Sequence, residues 1–341
     1  MIDRTVTSPA SLPILDLSRL DRGAEEAAAF CTELREATHE FGFFYLTGHG
    51  VPSAVQEGMI QTARSFFALP EAAKLAIENV KSPHFRGYTR IGGELTQGKT
   101  DWREQIDIGP EREAVAKGPD VPAYWALEGP NQWPDSLPQL RPVVQDWEER
   151  LSRLSLRLMR AWATSLGAAP NLFDQAFAVN PSTLIKIVRY PGKPAPASRQ
   201  GVGSHKDFGV LTLLYVEDGK GGLQVERDGE WIDAPPVPGT FIVNIGELLE
   251  VATDGYLKAT VHRVVSPEPG DDRISVPFFY APALDAAIPS IDLPPELRAQ
   301  ARGITTDPDN PLYDTYGENS LKSRLRAHPN VAAIHHPELV H

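Results

Sequence analysis

Two histidines and one aspartate stand where they could bind a metal ion. His205-Lys206-Asp207 places an imidazole and a carboxylate two residues apart, and His262 follows further along the chain. Two imidazoles and one carboxylate can cap one face of a ferrous ion and leave the opposite face open for a co-substrate and dioxygen. Because side chains at i and i+2 of an extended backbone share a face, His205 and Asp207 can both point into a barrel lumen.

Spacing alone leaves other interpretations of these residues open. A single His-x-Asp motif is usually structural, and the nine histidines of the chain allow such a pairing by chance. A zinc hydrolase could also use two histidines and an aspartate. Among the other histidines, His49 is expected to be structural, and His335, His336 and His341 in the tail are not expected to form a designed site.

A short downstream motif makes the iron interpretation more specific. Arg273 and Ser275 again occupy positions i and i+2 of an expected strand, so both can face the same lumen. An arginine directed into a barrel is costly unless it meets an anion, and its planar fork suits a carboxylate. Tyr190 could supply another hydroxyl. An ion pair with Asp271 or Asp272 is the alternative, and it would explain the arginine but not its neighbours.

The elements that must position these residues are mostly strands. Between residues 182 and 282, short stretches rich in β-branched and aromatic residues alternate with turn signals such as Asp228-Gly229. This pattern predicts a sandwich or jelly-roll barrel. The predicted strands cover 184–188, 210–216, 223–226, 231–234, 240–244, 261–265 and 273–280, and a helix covers 246–253.

The rest of the chain carries helices and loops. Apolar residues at helical spacing predict the longer helices. The predicted helices cover 25–41, 53–67, 137–166 and 319–327, and short strands cover 12–17 and 43–46. Ser53 is expected to cap its helix, and residues 80–136 to be mostly irregular and to line the site. We expect residues 1–135 and 136–341 to form one compact unit, the second segment holding the jelly-roll core.

Composition and charge narrow the classes of function. The chain has 341 residues, of which 41% are hydrophobic, enough for a large core. A net charge of −12 argues against a nucleic-acid partner. The single cysteine, Cys31, excludes an intramolecular disulfide and suits a reducing compartment. Without a signal-peptide-like or membrane-spanning stretch, we expect a cytoplasmic protein that makes no membrane contact and acts as a monomer.

Ordered motifs along nearly the whole chain carry a family resemblance. They are 12–17, Phe41-Gly42-Phe43-Phe44, Gly48-His49-Gly50-Val51, Phe66-Phe67-Ala68-Leu69-Pro70, Arg189-Tyr190-Pro191, His205-Lys206-Asp207, Gly221-Gly222-Leu223-Gln224, Asn244-Ile245-Gly246-Glu247, His262-Arg263-Val264 and Arg273-Ile274-Ser275. Together they resemble the isopenicillin N synthase-like branch of the 2-oxoglutarate- and iron(II)-dependent oxygenases. The resemblance implies a mainly β fold with flanking helices around a double-stranded β-helix (jelly-roll) core. It implies Fe(II) held by the two histidines and the aspartate.

The same resemblance implies a co-substrate and a reaction. The keto and C1-carboxylate oxygens of 2-oxoglutarate would bind the iron, and its far carboxylate would lie against Arg273, Ser275 and Tyr190. With O2, the enzyme would hydroxylate an unactivated C–H bond of a small molecule and release succinate and CO2. No catalytic residue is expected beyond the metal centre. Val188 stands where many members carry an asparagine, and Lys186 could replace that contact.

Other activities fit the same motifs. An oxidase of the isopenicillin N synthase type uses no 2-oxoglutarate, yet it carries the same arginine and serine. A non-catalytic jelly-roll binding protein with a vestigial site is the alternative from another class. Substrate-dependent formation of succinate separates the dioxygenase from both.

A narrower similarity is to bacterial ethylene-forming enzymes, so ethylene formation is a further alternative. It rests on Gly87-Tyr88, Gly93-Glu94-Leu95-Thr96, Gly98-Lys99 and Arg326. In those enzymes the matching glutamate, threonine and arginine bind an amino-acid substrate. Glu94, Thr96 and Arg326 are therefore candidate substrate-binding residues, although His328 stands where that group has a tyrosine. The alternative is that they are an exposed loop carboxylate and a surface arginine.

Overall fold

Short strands and amphipathic helices account for most of the chain. The computed structural model describes residues 12–192, 200–304 and 310–340. In this part of the chain the strands are β1 (Ile14–Asp16), β2 (Phe43–Thr47), β3 (Gly87–Thr89), β4 (Leu95–Thr96), β5 (Lys99–Thr100), β6 (Glu104–Ile108), β7 (Leu184–Pro191), β8 (Gln200–His205), β9 (Leu211–Val216), β10 (Leu223–Arg227), β11 (Glu230–Asp233), β12 (Phe241–Ile245), β13 (His262–Val265) and β14 (Asp272–Tyr280). The helices are α1 (Ala24–Glu40), α2 (Ser53–Phe67), α3 (Glu71–Ala76), α4 (Leu140–Ser165), α5 (Asp174–Ala178), α6 (Glu247–Ala252), α7 (Pro295–Arg298), α8 (Tyr316–Ala327) and α9 (Pro329–His335).

Two sheets enclose the centre of the molecule. The larger sheet has eight strands in the order β1-β2-β12-β9-β14-β7-β6-β3, and the smaller has four in the order β11-β10-β13-β8. One apolar cluster joins Phe43, Val188 and Ile242 of the larger sheet to Leu223 and Val264 of the smaller. Since this cluster contains side chains of both sheets, they pack face to face, as in a jelly roll.

The N-terminal segment contributes directly to the larger sheet. Strand β6 pairs antiparallel with β7, and β3 pairs with β6. The expectation that residues 80–136 are mostly irregular misses β6, in which all five residues are buried. The strand is hard to recognise in the sequence because Glu104 and Asp107 are charged residues that would normally be exposed. Both are buried here, and both form ion pairs.

Helix α4 covers the outer face of the larger sheet. It contacts α1, α2, β9 and β14. Its apolar stripe includes Trp147, Leu151, Leu158 and Trp162, all fully buried. Truncating one such side chain to alanine removes about 3–5 kcal/mol in typical cores. The stripe predicted the helix over 137–166, which matches α4 closely.

Of two local predictions, the Asp228-Gly229 turn is confirmed and the helix cap at Ser53 is wrong. Asp228 and Gly229 both have positive φ, 54° and 83°, and they connect β10 to β11 as the two-residue turn expected of Asp-Gly. Ser53, in contrast, is the first residue of α2 and not its cap. Pro52, with φ −62° and ψ 144°, holds the extended N-cap conformation instead.

No helix in the described part of the chain combines the length and the apolar character needed to cross a membrane. The helices of the fold are instead amphipathic or short.

Candidate functional site

His205 and His262 face each other across two paired strands. His205 ends β8, His262 begins β13, and the two are direct partners in the antiparallel register. Their ring centroids lie 4.3 Å apart. Each Nδ1 contacts a backbone carbonyl, at 2.8 Å from Gly203 O and 3.1 Å from Thr260 O. With Nδ1–H assigned as the donor in both contacts, each Nε2 lone pair is left for a ligand.

Asp207 completes the cluster from just beyond β8. Its Oδ1 lies 3.6 Å from Nε2 of His205 and 3.9 Å from Nε2 of His262. Its Oδ2 accepts hydrogen bonds from the Thr212 hydroxyl at 2.6 Å and the Asn244 amide at 2.8 Å. The extended backbone expected through both residues ends with β8 at His205, but Asp207 still lies on the same side. Oδ1 therefore remains available for a metal ion.

Burial and mutual proximity set the protonation of this cluster. Burial, together with the charge of His205, lowers the pKa of His262 to about 4. Burial alone would raise the pKa of Asp207, but the two histidines hold it well below its usual range. Burial also opposes protonation of His205, although the Asp207 carboxylate raises its pKa above the ordinary value. The ligand atoms of the carboxylate and the two imidazoles all lie within 4.8 Å of one another. This set of donors fits an Fe(II) ion.

Arg273 is buried beside the cluster, with only 1% of its surface exposed. Its Cζ lies 4.9 Å from the ring centroid of Tyr190, its cross-strand partner in β7. Its Nη1 donates to the Ser275 hydroxyl at 3.1 Å, whereas its Nε has no hydrogen-bond partner in the described structure. The three residues predicted from the Arg-x-Ser motif and Tyr190 therefore lie together.

The aspartates that precede Arg273 do not pair with it. Asp271 pairs with Lys220, and Asp272 pairs with Arg189 at 2.9 Å. The alternative in which Arg273 is a structural ion-pair residue therefore does not hold. Because no carboxylate among the described residues forms an ion pair with it, the guanidinium is suited to an incoming anion.

A cavity of about 800 Å³ connects these groups, and all three candidate substrate residues line it. Glu94 is buried, so its interpretation as an exposed loop carboxylate is wrong. The Thr96 hydroxyl donates to Asp101 at 2.7 Å. Arg326 is exposed and donates to Asn310 at 2.8 Å, so it lies at the surface end of the cavity.

A second cluster of acids with a histidine, which we term the buried charge cluster, has its ligand atoms equally close. Glu94, Asp107 and His328 bring these atoms within 4.8 Å of one another. Lys186 occupies the space between the acids, with Nζ 2.7 Å from Glu94 and 3.5 Å from Asp107. An ammonium group, not a metal ion, thus neutralises them. These ion pairs argue against the expected role of Lys186 as a replacement for the contact at Val188.

Two arginines complete the buried charge cluster. Arg103 lies 3.0 Å from Glu94 and 3.2 Å from Asp101, and Arg324 lies 3.3 Å from Asp107. Sequence reasoning assigned no role to either arginine. A signal was present for one of them, because Arg103 belongs to a run of polar residues that leads into β6: Asp101, Arg103, Glu104, Gln105 and Asp107.

Two family models match the chain. Residues 12–136 match the model described as the N-terminal region of a non-haem dioxygenase in morphine synthesis. Residues 174–282 match the 2OG-Fe(II) oxygenase superfamily. The second match spans the two histidines, the aspartate and the Arg-x-Ser motif.

Whole-length relatives and solved structures agree with these matches. The chain is 38% identical to a 2-oxoglutarate-dependent dioxygenase, frbJ of Dothideomycetidae sp. (strain 11243), over 94% of this chain and 90% of the relative. It is 33% identical to homoarginine-6-hydroxylase 2-ODD-C23.1 of Arabidopsis thaliana, over 83% and 88%. JOX2 in complex with 2OG, Fe and JA superposes with a TM-score of 0.73 at 29% identity, over 95% and 88%. Full-length Neurospora crassa T7H with alpha-KG and thymine gives 0.73 at 25%, over 96% and 98%.

Proposed function

Since the chain belongs to the 2OG-Fe(II) oxygenase superfamily, whose cofactors are Fe(II), 2-oxoglutarate and O2, we propose that His205, Asp207 and His262 hold its iron. The enzyme is a 2-oxoglutarate-dependent dioxygenase, an oxidoreductase. We propose that it hydroxylates an unactivated C–H bond of a small molecule and releases succinate and CO2. The observation that carries the proposal is the convergence of two Nε2 atoms and one Oδ1 atom whose neighbouring atoms are already hydrogen bonded.

The residues around the three proposed ligands determine how an iron ion would be held. When bound, Fe(II) supplies the coupled chemistry in which O2 oxidises 2-oxoglutarate to succinate and CO2 and places one oxygen atom in a substrate C–H bond. The carbonyls of Gly203 and Thr260 keep both imidazoles in the tautomer that ligates through Nε2. Thr212 and Asn244 donate hydrogen bonds to one carboxylate oxygen of Asp207 and leave the other oxygen available for the metal ion.

Arg273, Ser275 and Tyr190 would hold the far carboxylate of 2-oxoglutarate. The Tyr190 ring fixes the guanidinium plane, and the Ser275 hydroxyl, which accepts from Arg273, can donate its own proton to the carboxylate. Apolar side chains of the same cavity, Leu214 and Leu223, suit the methylene groups of the co-substrate and exclude water.

The cavity size and the net charge indicate the kind of substrate, and the strand pairing indicates how the two segments are joined. A cavity of about 800 Å³ suits one small molecule beside the co-substrate. The net charge of −12 supports the absence of a nucleic-acid partner. We propose a cytoplasmic monomer in which residues 1–135 and 136–341 form one unit, because β6 of the first pairs with β7 of the second.

The first test measures iron and succinate together. Under anaerobic conditions the wild-type protein should bind one Fe(II) per chain and then 2-oxoglutarate. A screen of small molecules in air should then reveal succinate release that depends on the added substrate. Oxygen consumption with a product but without succinate would instead identify an oxidase of the isopenicillin N synthase type. Ethylene in the headspace with 2-oxoglutarate and arginine would identify that alternative activity.

The co-substrate site has its own test. Arg273→Gln should weaken 2-oxoglutarate binding by more than about thirtyfold, because a buried charge-paired contact is lost. Arg189→Gln, which removes an arginine paired with Asp272 outside the cavity lining, is the matched control. Equal 2-oxoglutarate affinity in wild type and Arg273→Gln would contradict the assignment.

A further inference from the structure

The buried charge cluster balances its own charges, but a further cation lies next to it. Its cations are Lys186, Arg103 and Arg324, and its carboxylates are Glu94, Asp107 and Asp101. Burial holds the pKa of His328 at about 4, so this histidine is neutral at pH 7. The neighbouring cation is Arg86, which interacts electrostatically with Arg324 and Asp107 of the cluster.

Arg86 is a buried cation without an ion-pair partner among the described residues. Its side chain is buried and lines the cavity, yet it forms no ion pair with a described carboxylate. Its Nη2 donates to the Leu127 carbonyl at 3.2 Å, and its Nε has no partner in the described structure. Three acids act on Arg86 from nearby without pairing with it. Glu128 pairs with Arg112 at 2.6 Å, Asp107 pairs with Arg324, and Glu148 accepts a hydrogen bond from Thr183. A buried guanidinium with an unused donor is costly unless an anion meets it.

The fold makes specific room for this guanidinium. Gly109 follows β6 directly, and a Cβ at that position would lie 2.1 Å from Nη2 of Arg86. Burial and the neighbouring charge of Arg324 lower the pKa of Arg86 to about 10, so it stays charged at neutral pH. Arg86 and Arg324 both line the cavity and repel each other, so an anion bound between them would stabilise both charges.

We propose that the end of the cavity at Arg86 and Arg324 binds a carboxylate group of the substrate. This rests on the proposed function, in which the cavity takes the substrate. The guanidinium of Arg86 lacks an ion-pair partner, and a carboxylate matches its fork. Glu94 then serves to position Lys186 and Arg103, and it does not recognise a cationic substrate group.

The sheet places this anion site away from the co-substrate site. Arg86 precedes β3, and Arg273 lies in β14, three strands away in the order β14-β7-β6-β3. Neighbouring strands are about 4.8 Å apart, so strands β14 and β3 are about 14 Å apart across the sheet. The substrate would thus be held by its carboxylate at one end, with the carbon to be oxidised nearer the metal.

The test uses trifluoroacetate as a carboxylate probe and trifluoroacetamide as its neutral isostere. Fluorine NMR follows both in the protein loaded with Fe(II) and saturating 2-oxoglutarate, without O2, so that Arg273 is already occupied. We expect trifluoroacetate to bind saturably and the amide to bind at least about tenfold more weakly, the effect of one charge-assisted hydrogen bond.

Variants locate the binding. Arg86→Gln should weaken trifluoroacetate about tenfold while 2-oxoglutarate affinity is unchanged, which also shows that the variant is folded. Gly109→Ala should weaken it as well, because the added methyl displaces the guanidinium. Arg141→Gln removes one positive charge from α4 at a position that does not line the cavity and should change nothing.

Three results overturn the proposal: equal binding of acid and amide, equal binding by wild type and Arg86→Gln, or trifluoroacetate that binds only when 2-oxoglutarate is absent. The last result would place the probe in the co-substrate site. Failure of 2-oxoglutarate itself to bind the wild-type protein is a separate outcome, and it would reject the proposed function instead.

Discussion

The cavity contains two clusters made of the same kinds of residue, and they differ in what neutralises them. His205, Asp207 and His262 leave three donor atoms free, and their remaining polar atoms bond to backbone or neutral side chains. In the buried charge cluster, Lys186 lies between Glu94 and Asp107. Equal spacing of ligand atoms is therefore not enough to indicate a metal site.

The difference has a simple physical origin. Buried carboxylates require a cation, and a protein can supply one from its own chain or leave the position for a metal. Around Asp207 the partners are Thr212 and Asn244, which orient the carboxylate but carry no charge. Around Glu94 and Asp107 the partners are lysine and arginine, which remove the need for an ion.

The largest expected effect tests which cluster takes iron. His205→Ala should abolish Fe(II) binding and 2-oxoglutarate turnover, because two ligands cannot hold the ion on their own. His328→Ala, in the buried charge cluster, is the matched control and should still bind one Fe(II) per chain. Anaerobic metal titration measures both. Undiminished iron binding by His205→Ala, or its loss in His328→Ala, would reverse the assignment.

A slightly smaller effect should follow from removing the internal cation. Lys186→Met leaves Glu94 and Asp107 buried with one partner fewer, which should lower the free energy of unfolding by about 3–5 kcal/mol. Urea denaturation measures this. Lys220→Met breaks a lysine pair with the exposed Asp271 and should cost less than about 1 kcal/mol. Similar losses in the two variants would mean that Lys186 does not neutralise the acids.

Orientation of the aspartate should matter next. Thr212→Val removes the hydroxyl that donates to Asp207, and Fe(II) affinity should fall by about tenfold to a hundredfold. Thr183→Val removes an equivalent threonine bond to the carboxylate of Glu148, which is not a proposed ligand, and should leave iron affinity unchanged. Competition with a fluorescent chelator gives both affinities.

The smallest effect on iron is expected at Glu94. Glu94→Gln should leave Fe(II) and 2-oxoglutarate affinities within about twofold of wild type, because this carboxylate pairs with Lys186 and Arg103 and is not one of the three proposed ligands. Its free energy of unfolding should fall by about 1–3 kcal/mol, since the amide keeps one acceptor. A large loss of iron affinity would join the two clusters into one site.

The fold class and the family predicted from the sequence are both confirmed. His205 and Asp207, and likewise Arg273 and Ser275, could be selected because each pair lies two residues apart. Arg273 and Ser275 share a face because both lie in β14. Asp207 lies just beyond the end of β8, and the pairing of β8 with β13 brings in His262. The roles assigned to them remain predictions that the variants above test.

The buried charge cluster could not be predicted in this way. Its members come from distant parts of the chain, with Asp107 in β6, Lys186 in β7 and Arg324 in α8. Only the pairing of β6 with β7 and the docking of α8 bring them together, and no local pattern encodes these contacts. The sequence also does not distinguish a buried lysine or arginine from an exposed one, because it does not show which carboxylate pairs with it.

The direct pairing of His205 with His262 has a mechanical consequence. Strand β8 is an edge of the four-stranded sheet, and its pairing with β13 contains register shifts after His262. An ion bound by both imidazoles would link strand β8 to strand β13. At a concentration of one hundred times Kd, a ligand adds about 2.7 kcal/mol to stability. Amide hydrogens of β8 should therefore exchange more slowly with iron than without it, whereas those of β10 and β11 should change less.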